Sequence, residues 1–160
     1  MAKPIPFLWF DDDAEAAADF YISVFPNSRE VRRLRNPGPA PGPAGAIMTI
    51  EIELDGQPVT LLNGGPEHPQ TPAFSFSVPC ETQSELDRYW DALGAGGKEI
   101  ACGWLTDRFG LAWQIVPVNV AELVSHPAAM TAMLGMVKLD IAVLEAALRD
   151  DRGDGSTGSP

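Results

Sequence analysis

The side chain that first suggests chemistry is Gln114, a neutral amide inside the apolar segment "LAWQIV" between Trp113 and Ile115. Burying an amide without hydrogen-bond partners costs about 1–3 kcal/mol. We therefore expect this amide to have a partner, which is a metal ion, a bound ligand or another side chain.

Three tryptophans on predicted strands, Trp9, Trp104 and Trp113, extend this candidate site. Indole rings stack on flat or apolar molecules, and amides such as those of Asn63 and Gln114 supply polar recognition. The combination predicts a pocket for a small, partly apolar molecule. The same side chains can instead fill the interior of the protein, and the sequence leaves both interpretations open.

Other side chains give weaker signals for catalysis. No G-x-S-x-G motif marks a nucleophilic serine, and His68 and His126 each precede a proline in a predicted loop or helix boundary. Glu51 and Glu53 share one face of the alternating segment "IMTIEIEL". A solvated face explains them more simply than an acid–base pair, but they become candidates if that face lines a pocket.

An internal repeat positions these residues. Two segments 69 residues apart have the i, i+3, i+4, i+7 apolar spacing of a helix that buries one face. Asp12 or Asp13 is expected to cap the first helix, while Thr82 and Glu85 form a capping box for the second. The apolar residues are Ala17, Phe20, Tyr21 and Val24, then Leu86, Tyr89, Trp90 and Leu93.

Each helix follows one apolar strand and precedes three further strands, so the sequence predicts an α+β fold of two βαβββ modules. We expect their mixed sheets to form a cup within one compact domain. Lys98 to Trp104 is predicted to form one short strand of the second module. The modules span residues 1–70 and 71–119, followed by C-terminal helices over 120–149 and a disordered tail over 150–160. Residues 36–45, "NPGPAPGPAG", are predicted to form a surface loop that can act as a lid.

Composition excludes several classes of partner. The 22 acidic and 11 basic residues give a formal charge of −11, which disfavours nucleic acid and anionic membranes. No apolar run spans a bilayer, and no signal peptide is recognisable. Cys80 and Cys102 are interpreted as structural thiols, although a helix N-terminus would lower the pKa of Cys80 if the thiol pointed at it. We expect a cytoplasmic protein.

Several segments together resemble the PhnB-like family of the vicinal-oxygen-chelate superfamily, which includes glyoxalases, bleomycin-resistance proteins and extradiol dioxygenases. The resemblance implies paired βαβββ modules and a homodimer. Family members often carry the label 3-demethylubiquinone 3-methyltransferase, but the "GAGG" of residues 94–97 follows a helix and not a strand, unlike a nucleotide-binding loop. The segments are "PFLWFDDDAEAAADFYISVFPNS", "LDGQPVTLLNGGP", "FSVPCETQSELDRYWDAL", "CGWLTDRFGLAWQIVP" and "LGMVKLDIAVLEAA".

The resemblance also implies a divalent metal held by the first and last strands of each module. The corresponding positions here are Pro6, Thr60, Ser75 and Gln114. Because they offer neither a carboxylate nor an imidazole, we expect no metal and no other cofactor. The residues expected to line the cup and bind a ligand are Trp9, Thr60, Asn63, Ser75, Trp104, Trp113 and Gln114.

Three hypotheses for function follow. The leading one is a metal-free protein that binds a small, partly apolar molecule. The second is a metal-dependent lyase, isomerase or dioxygenase with ligands assembled across a dimer. The third is a structural or interaction protein whose cup is filled by its own side chains.

Overall fold

The computed structural model describes residues 2–153, apart from the side chain of Arg152. The part of the predicted tail beyond residue 153 lies outside the described residues. The chain divides into two compact units between Gln70 and Thr71.

The first unit is a βαβββ module. Its elements are β1 (Phe7–Phe10), α1 (Ala14–Val24), β2 (Arg29–Arg35), β3 (Ile47–Leu54) and β4 (Gln57–Asn63). The sheet order is β1-β4-β3-β2, with β1 parallel to β4 and the other neighbours antiparallel.

Strand alternation gives the first sheet two different faces. One face packs on α1, which contacts β3 and β4, and it buries apolar side chains. We call the other face, which points away from the helix of the module, the distal face. The buried side chains of the first face include Leu8, Phe10, Ile50, Ile52, Leu54, Val59 and Leu61.

The second unit repeats the same order of elements. It contains β5 (Ser75–Cys80), α2 (Gln83–Gly94), β6 (Lys98–Glu99), β7 (Trp104–Thr106) and β8 (Ala112–Pro117), with sheet order β5-β8-β7-β6. The α+β class and the βαβββ order predicted from the sequence are confirmed.

One predicted strand of the second unit is wrong. Lys98 to Trp104 was expected to be continuous, but β6 ends at Glu99 and β7 begins at Trp104. The chain turns between them, with Cys102 and Gly103 at φ of +55° and +82°. A positive φ is incompatible with strand geometry, so the segment folds back and pairs β6 with β7.

Three helices follow: α3 (Val120–Val124), α4 (Pro127–Leu134) and α5 (Ile141–Gly153). The backbone before α5 is fixed to the second unit, because the amides of Cys102 and Gly103 donate to the carbonyls of Met136 and Val137 at 2.9 and 2.8 Å. Helix α5 continues to Gly153, so the predicted end of the helices at residue 149 is corrected. No helix within residues 2–153 is long and apolar enough to cross a bilayer.

Candidate functional site

Gln114 lies on the distal face of the second sheet. In the strand register it pairs with Ser77 of β5 and Trp104 of β7, and it is half-buried. Its Nε2 donates to Oγ of Ser75 at 2.9 Å. The partner expected for this amide is therefore another side chain of the same sheet.

Trp113 lies on the opposite face from Gln114, because neighbouring strand residues point to opposite sides. It is only 1% exposed, and its ring stacks on Phe76 with centroids 5.1 Å apart. This corrects the expectation that Trp113 lines the same surface as Gln114. Trp104 lies on the distal face beside Gln114. These two of the residues predicted to line the cup are therefore neighbours.

A buried carboxylate that sequence analysis did not single out holds Trp113 in place. Asp107 is 3% exposed, and its Oδ2 accepts from Nε1 of Trp113 at 2.8 Å. Its Oδ1 accepts from the amides of Phe109 and Leu111 at 2.8 and 3.1 Å. These three hydrogen bonds fix the turn between β7 and β8, so the role of Asp107 is structural. The sequence signal for it is its place at the start of the turn "DRFG".

Thr60 lies on the distal face of the first sheet and is 9% exposed. It pairs with Phe7 of β1 and Glu51 of β3. Glu51 forms an ion pair with Arg32 at 2.5 Å. The carboxylate of Glu51 therefore has a guanidinium partner on the neighbouring strand.

Asn63 points to the helix side of its sheet. Its Oδ1 accepts from the amide of Ala14 at 2.9 Å, and its Nδ2 donates to the carbonyl of Ile47 at 3.1 Å. Asp13 occupies the N-cap position without a side-chain bond. The expectation that Asp12 or Asp13 caps α1 is therefore corrected, since Asn63 of β4 takes that role.

The residues at the positions implied for a metal do not fit a divalent ion. Pro6 precedes β1 and offers only its carbonyl, which already accepts from the amide of Thr60 at 2.9 Å. Ser75 and Gln114 are neutral and bonded to each other. Among residues 2–153, no three His, Cys, Asp or Glu side chains lie close enough together to hold a metal. Hard divalent cations need several anionic or imidazole ligands.

A cavity of about 810 Å³ lies within the first unit, beside the ends of β1 and β4 and the start of α1. Trp9 and Asn63 of the predicted set line it, together with the proline-rich loop, whereas Gln114 belongs to the second unit. Its apolar lining includes Ile47, Met48, Leu62, Pro41 and Pro43, and its charged lining is Asp11, Asp12, Glu15 and Arg35.

Asn36 orders the proline-rich loop over this cavity. The residue is 5% exposed, and its Nδ2 donates to the carbonyls of Ala40 and Gly42 at 3.0 and 3.1 Å. Its Oδ1 accepts from the amide of Gly38 at 2.8 Å. The buried side-chain amide of Asn36 thus bonds to backbone carbonyls and to a backbone amide of the loop, and holds the loop in a defined conformation. The sequence does not indicate this role.

Trp9 is fixed in position at the cavity wall. Its Nε1 donates to the carbonyl of Gly65 at 2.8 Å, and its ring meets His68 edge-on with centroids 4.7 Å apart. Gly64 lies directly against the ring, since a Cβ there would be 2.3 Å from Cε2 of Trp9. The indole is therefore a rigid aromatic surface.

The two cysteines differ in environment. Cys80 is fully buried, and this burial raises the pKa of its thiol to about 11. The pKa of Cys80 is therefore not lowered by the N-terminus of α2. Cys102 is partly exposed in the turn between β6 and β7.

Comparison with known proteins identifies the family. The model described as 3-demethylubiquinone-9 3-methyltransferase matches residues 2–116, so α3–α5 lie beyond it. None of the curated proteins compared matches the chain significantly.

Solved structures agree with the family match. A putative 3-demethylubiquinone-9 3-methyltransferase, PhnB protein, from Bacillus cereus is 31% identical, with 72% of this chain and 98% of that chain covered and a TM-score of 0.64. Protein PA1353 from Pseudomonas aeruginosa is 23% identical, with coverages of 73% and 97% and a TM-score of 0.60. The fosfomycin resistance protein FosX from Mesorhizobium loti shares the fold at 14% identity, coverages of 78% and 99% and a TM-score of 0.52. The chain belongs to the PhnB-like family of the vicinal-oxygen-chelate superfamily.

Proposed function

We propose that this protein binds a small, partly apolar organic molecule without a metal ion. The observation that carries the proposal is the cavity of about 810 Å³ in the first unit. Ligand pockets of roughly 300–1,000 Å³ suit molecules of drug-like size. The cavity has an aromatic wall at Trp9 and a loop ordered by Asn36, so little conformational entropy is lost when a ligand enters.

The chemistry of the donor set supports binding without a metal. The metal positions implied by the family hold Pro6, Thr60, Ser75 and Gln114, which are neutral. The bond between Ser75 and Gln114 stabilises these side chains in the absence of any ion.

A cavity-filling variant tests the binding site. A fluorine-labelled fragment library is screened by ¹⁹F NMR against the full chain, Ala46→Trp and Ala16→Trp. Ala46 lines the cavity, whereas Ala16 is an exposed residue of α1 outside the lining. Fragments should bind the unaltered chain and Ala16→Trp, and should lose binding to Ala46→Trp. Equal binding by all three proteins would place the ligand elsewhere and contradict the proposal.

Metal analysis tests the second part of the proposal. Protein purified without a chelator should contain far less than one equivalent of any divalent metal. A stoichiometric ion that disappears in Gln114→Ala would show that the neutral donors do hold a metal, and would overturn the metal-free assignment.

We also propose that the chain is a homodimer, which membership of the PhnB-like family supports. Light scattering coupled to size-exclusion chromatography should give twice the mass of the 17.2 kDa chain. A monomer mass at micromolar concentration would contradict this.

A further inference from the structure

We infer that the cavity of the first unit selects a positively charged ligand, an amine or quaternary ammonium group attached to an apolar or aromatic body. This inference rests on the proposed binding function and adds the class of ligand. It follows from the distribution of charge around the cavity and from the aromatic surface that faces it.

The carboxylates of the lining outnumber its cations. Asp11, Asp12 and Glu15 line the cavity beside a single guanidinium, that of Arg35. Glu15 is already neutralised, because it forms an ion pair with Arg33. Asp11 and Asp12 are exposed, and within residues 2–153 neither forms an ion pair. Two carboxylates at the cavity therefore have no ion-pair partner in the part of the chain that the structure describes.

The single cation of the lining is engaged by the loop. Nη1 of Arg35 donates to the carbonyl of Gly45 at 3.0 Å, so this side chain helps to hold the loop. One guanidinium against two unpaired carboxylates leaves the local field negative, in a chain whose formal charge is −11. This field attracts cations and repels anions.

The N-terminus of α1 does not reverse this preference. A helix N-terminus carries about half a positive charge and commonly binds anions. Here the first amide, that of Ala14, already donates to Asn63 at 2.9 Å, and Asp13 at the N-cap adds another carboxylate. An anion at this position would therefore be repelled by the nearby carboxylates, and the amide of Ala14 would not be free to bind it.

The apolar lining favours a ligand with an organic body over a bare metal cation. Trp9, Leu62 and Met48 supply an aromatic and aliphatic wall, and the indole of Trp9 is held rigidly by Gly65. The negative face of an indole ring attracts a cation, and the attraction grows as the cation loses its water. Among the described residues, the two carboxylates belong to no group of three or more metal-binding side chains.

Three matched probes test the inference by isothermal titration calorimetry on the full chain: benzyltrimethylammonium, benzyl alcohol and benzylsulfonate. The ammonium probe should bind about tenfold more tightly than the neutral probe, and the sulfonate should not bind measurably. Asp11→Asn/Asp12→Asn should weaken ammonium binding about tenfold, since it removes both carboxylates that would contact the cation. Asp19→Asn removes a charge from an exposed part of α1 outside the cavity and should leave binding unchanged.

The outcomes separate this inference from the proposed function. Equal or tighter binding of the neutral or sulfonate probe, lost in Ala46→Trp, would overturn the preference for cations while the binding site stands. Ammonium binding unchanged in Asp11→Asn/Asp12→Asn would likewise overturn the role of these carboxylates. A chain that binds none of the probes, and no fragment in the screen above, would contradict both the inference and the proposed function.

Discussion

The two modules of this protein share one topology but stabilise equivalent parts in different ways. In the second unit, α2 is capped locally, because Oγ1 of Thr82 accepts from the amide of Glu85 at 3.1 Å. In the first unit, α1 is capped from a strand, since Asn63 of β4 accepts from Ala14. A local cap leaves the helix end independent of the sheet, whereas a cap from β4 connects the start of α1 to the strand ends that border the cavity.

The turn before the last strand of each module also differs between the two units. Asp55, between β3 and β4, is exposed and has a φ of +47°. Asp107, between β7 and β8, is buried and accepts three hydrogen bonds. The second unit thus has a buried hydrogen-bond network around Asp107 in its core. In the first unit, the amide side chains of Asn36 and Asn63 lie at the edge of the cavity. This difference agrees with the proposal that the first module binds the ligand, while the network of Asp107 stabilises the second.

The largest effect should come from Asp107. Asp107→Ala leaves the donors of Trp113, Phe109 and Leu111 without their partner in a buried site, and we expect a loss of about 3–5 kcal/mol in the free energy of unfolding. Urea denaturation followed by circular dichroism measures it. Asp55→Asn is the control in the first unit and should change stability by less than about 0.5 kcal/mol. Similar losses for both variants would contradict the contrast between the turns.

The second prediction concerns the loop over the cavity. Asn36→Ala removes the bonds to the loop carbonyls and to the amide of Gly38, so we expect a loss of about 1–2 kcal/mol and at least tenfold weaker ligand binding. Hydrogen exchange of residues 37–46 should accelerate. Asn119→Ala is the matched control, because Asn119 precedes α3 without a side-chain bond to it. Unchanged exchange in Asn36→Ala would show that the loop is ordered by other contacts.

The helix caps give the third prediction. Asn63→Ala and Thr82→Ala should each cost about 1 kcal/mol of stability, as cap removals typically do. Only Asn63→Ala should also weaken ligand binding, because Asn63 lines the cavity and Thr82 does not share its unit. Thermal denaturation and calorimetric titration of both variants check this. Equal effects on binding would mean that the cap from β4 has no special relation to the site.

Cysteine reactivity should also differ between positions. The raised pKa of Cys80, about 11, keeps its buried thiol protonated at pH 8. Iodoacetamide at pH 8 should therefore modify Cys102 well before Cys80, as peptide mass spectrometry can show. Because the pKa is raised on folding, the stabilising contribution of the neutral thiol should be lost only as the pH rises from about 9 towards 11. Rapid labelling of Cys80 at pH 8 would contradict its burial.

The smallest effect is expected at Gln114. Gln114→Leu removes one half-buried hydrogen bond to Ser75, so we expect a change of no more than about 1 kcal/mol in stability and little change in ligand affinity. Ser75→Ala should behave similarly, since it removes the other member of the pair. A large loss of affinity in Gln114→Leu alone would move the binding site to the distal face of the second sheet.

Local patterns in the sequence predicted much of the fold. The repeat spacing located α1 and α2, alternation located β3, and the Thr82–Glu85 pattern located a helix start, because these signals lie within a few neighbouring residues. The break between β6 and β7 was missed because it depends on Cys102 adopting a positive φ, which a non-glycine residue does not announce.

The candidate site was harder to predict, because it depends on contacts between distant residues. Asn63 caps Ala14 from 49 positions away, and Trp9 meets Gly65 from 56 positions away. Asn36 was read only as the start of a proline-rich loop, although its side chain organises that loop. Trp113 and Gln114 are both predicted from the sequence to line the same cup, whereas strand alternation places them on opposite faces of the sheet.

The most direct test is an NMR titration that follows the four indole Nε1–H signals, one for each tryptophan, while benzyltrimethylammonium is added to the full chain. Trp9→Phe and Trp104→Phe assign the two signals that matter. Binding in the first-unit cavity should shift the Trp9 signal in a saturable way and leave that of Trp104, which pairs with Gln114 in the second sheet, in place. A saturable shift of Trp104 with Trp9 unmoved would contradict the account, because it would put the ligand on the surface that carries Gln114.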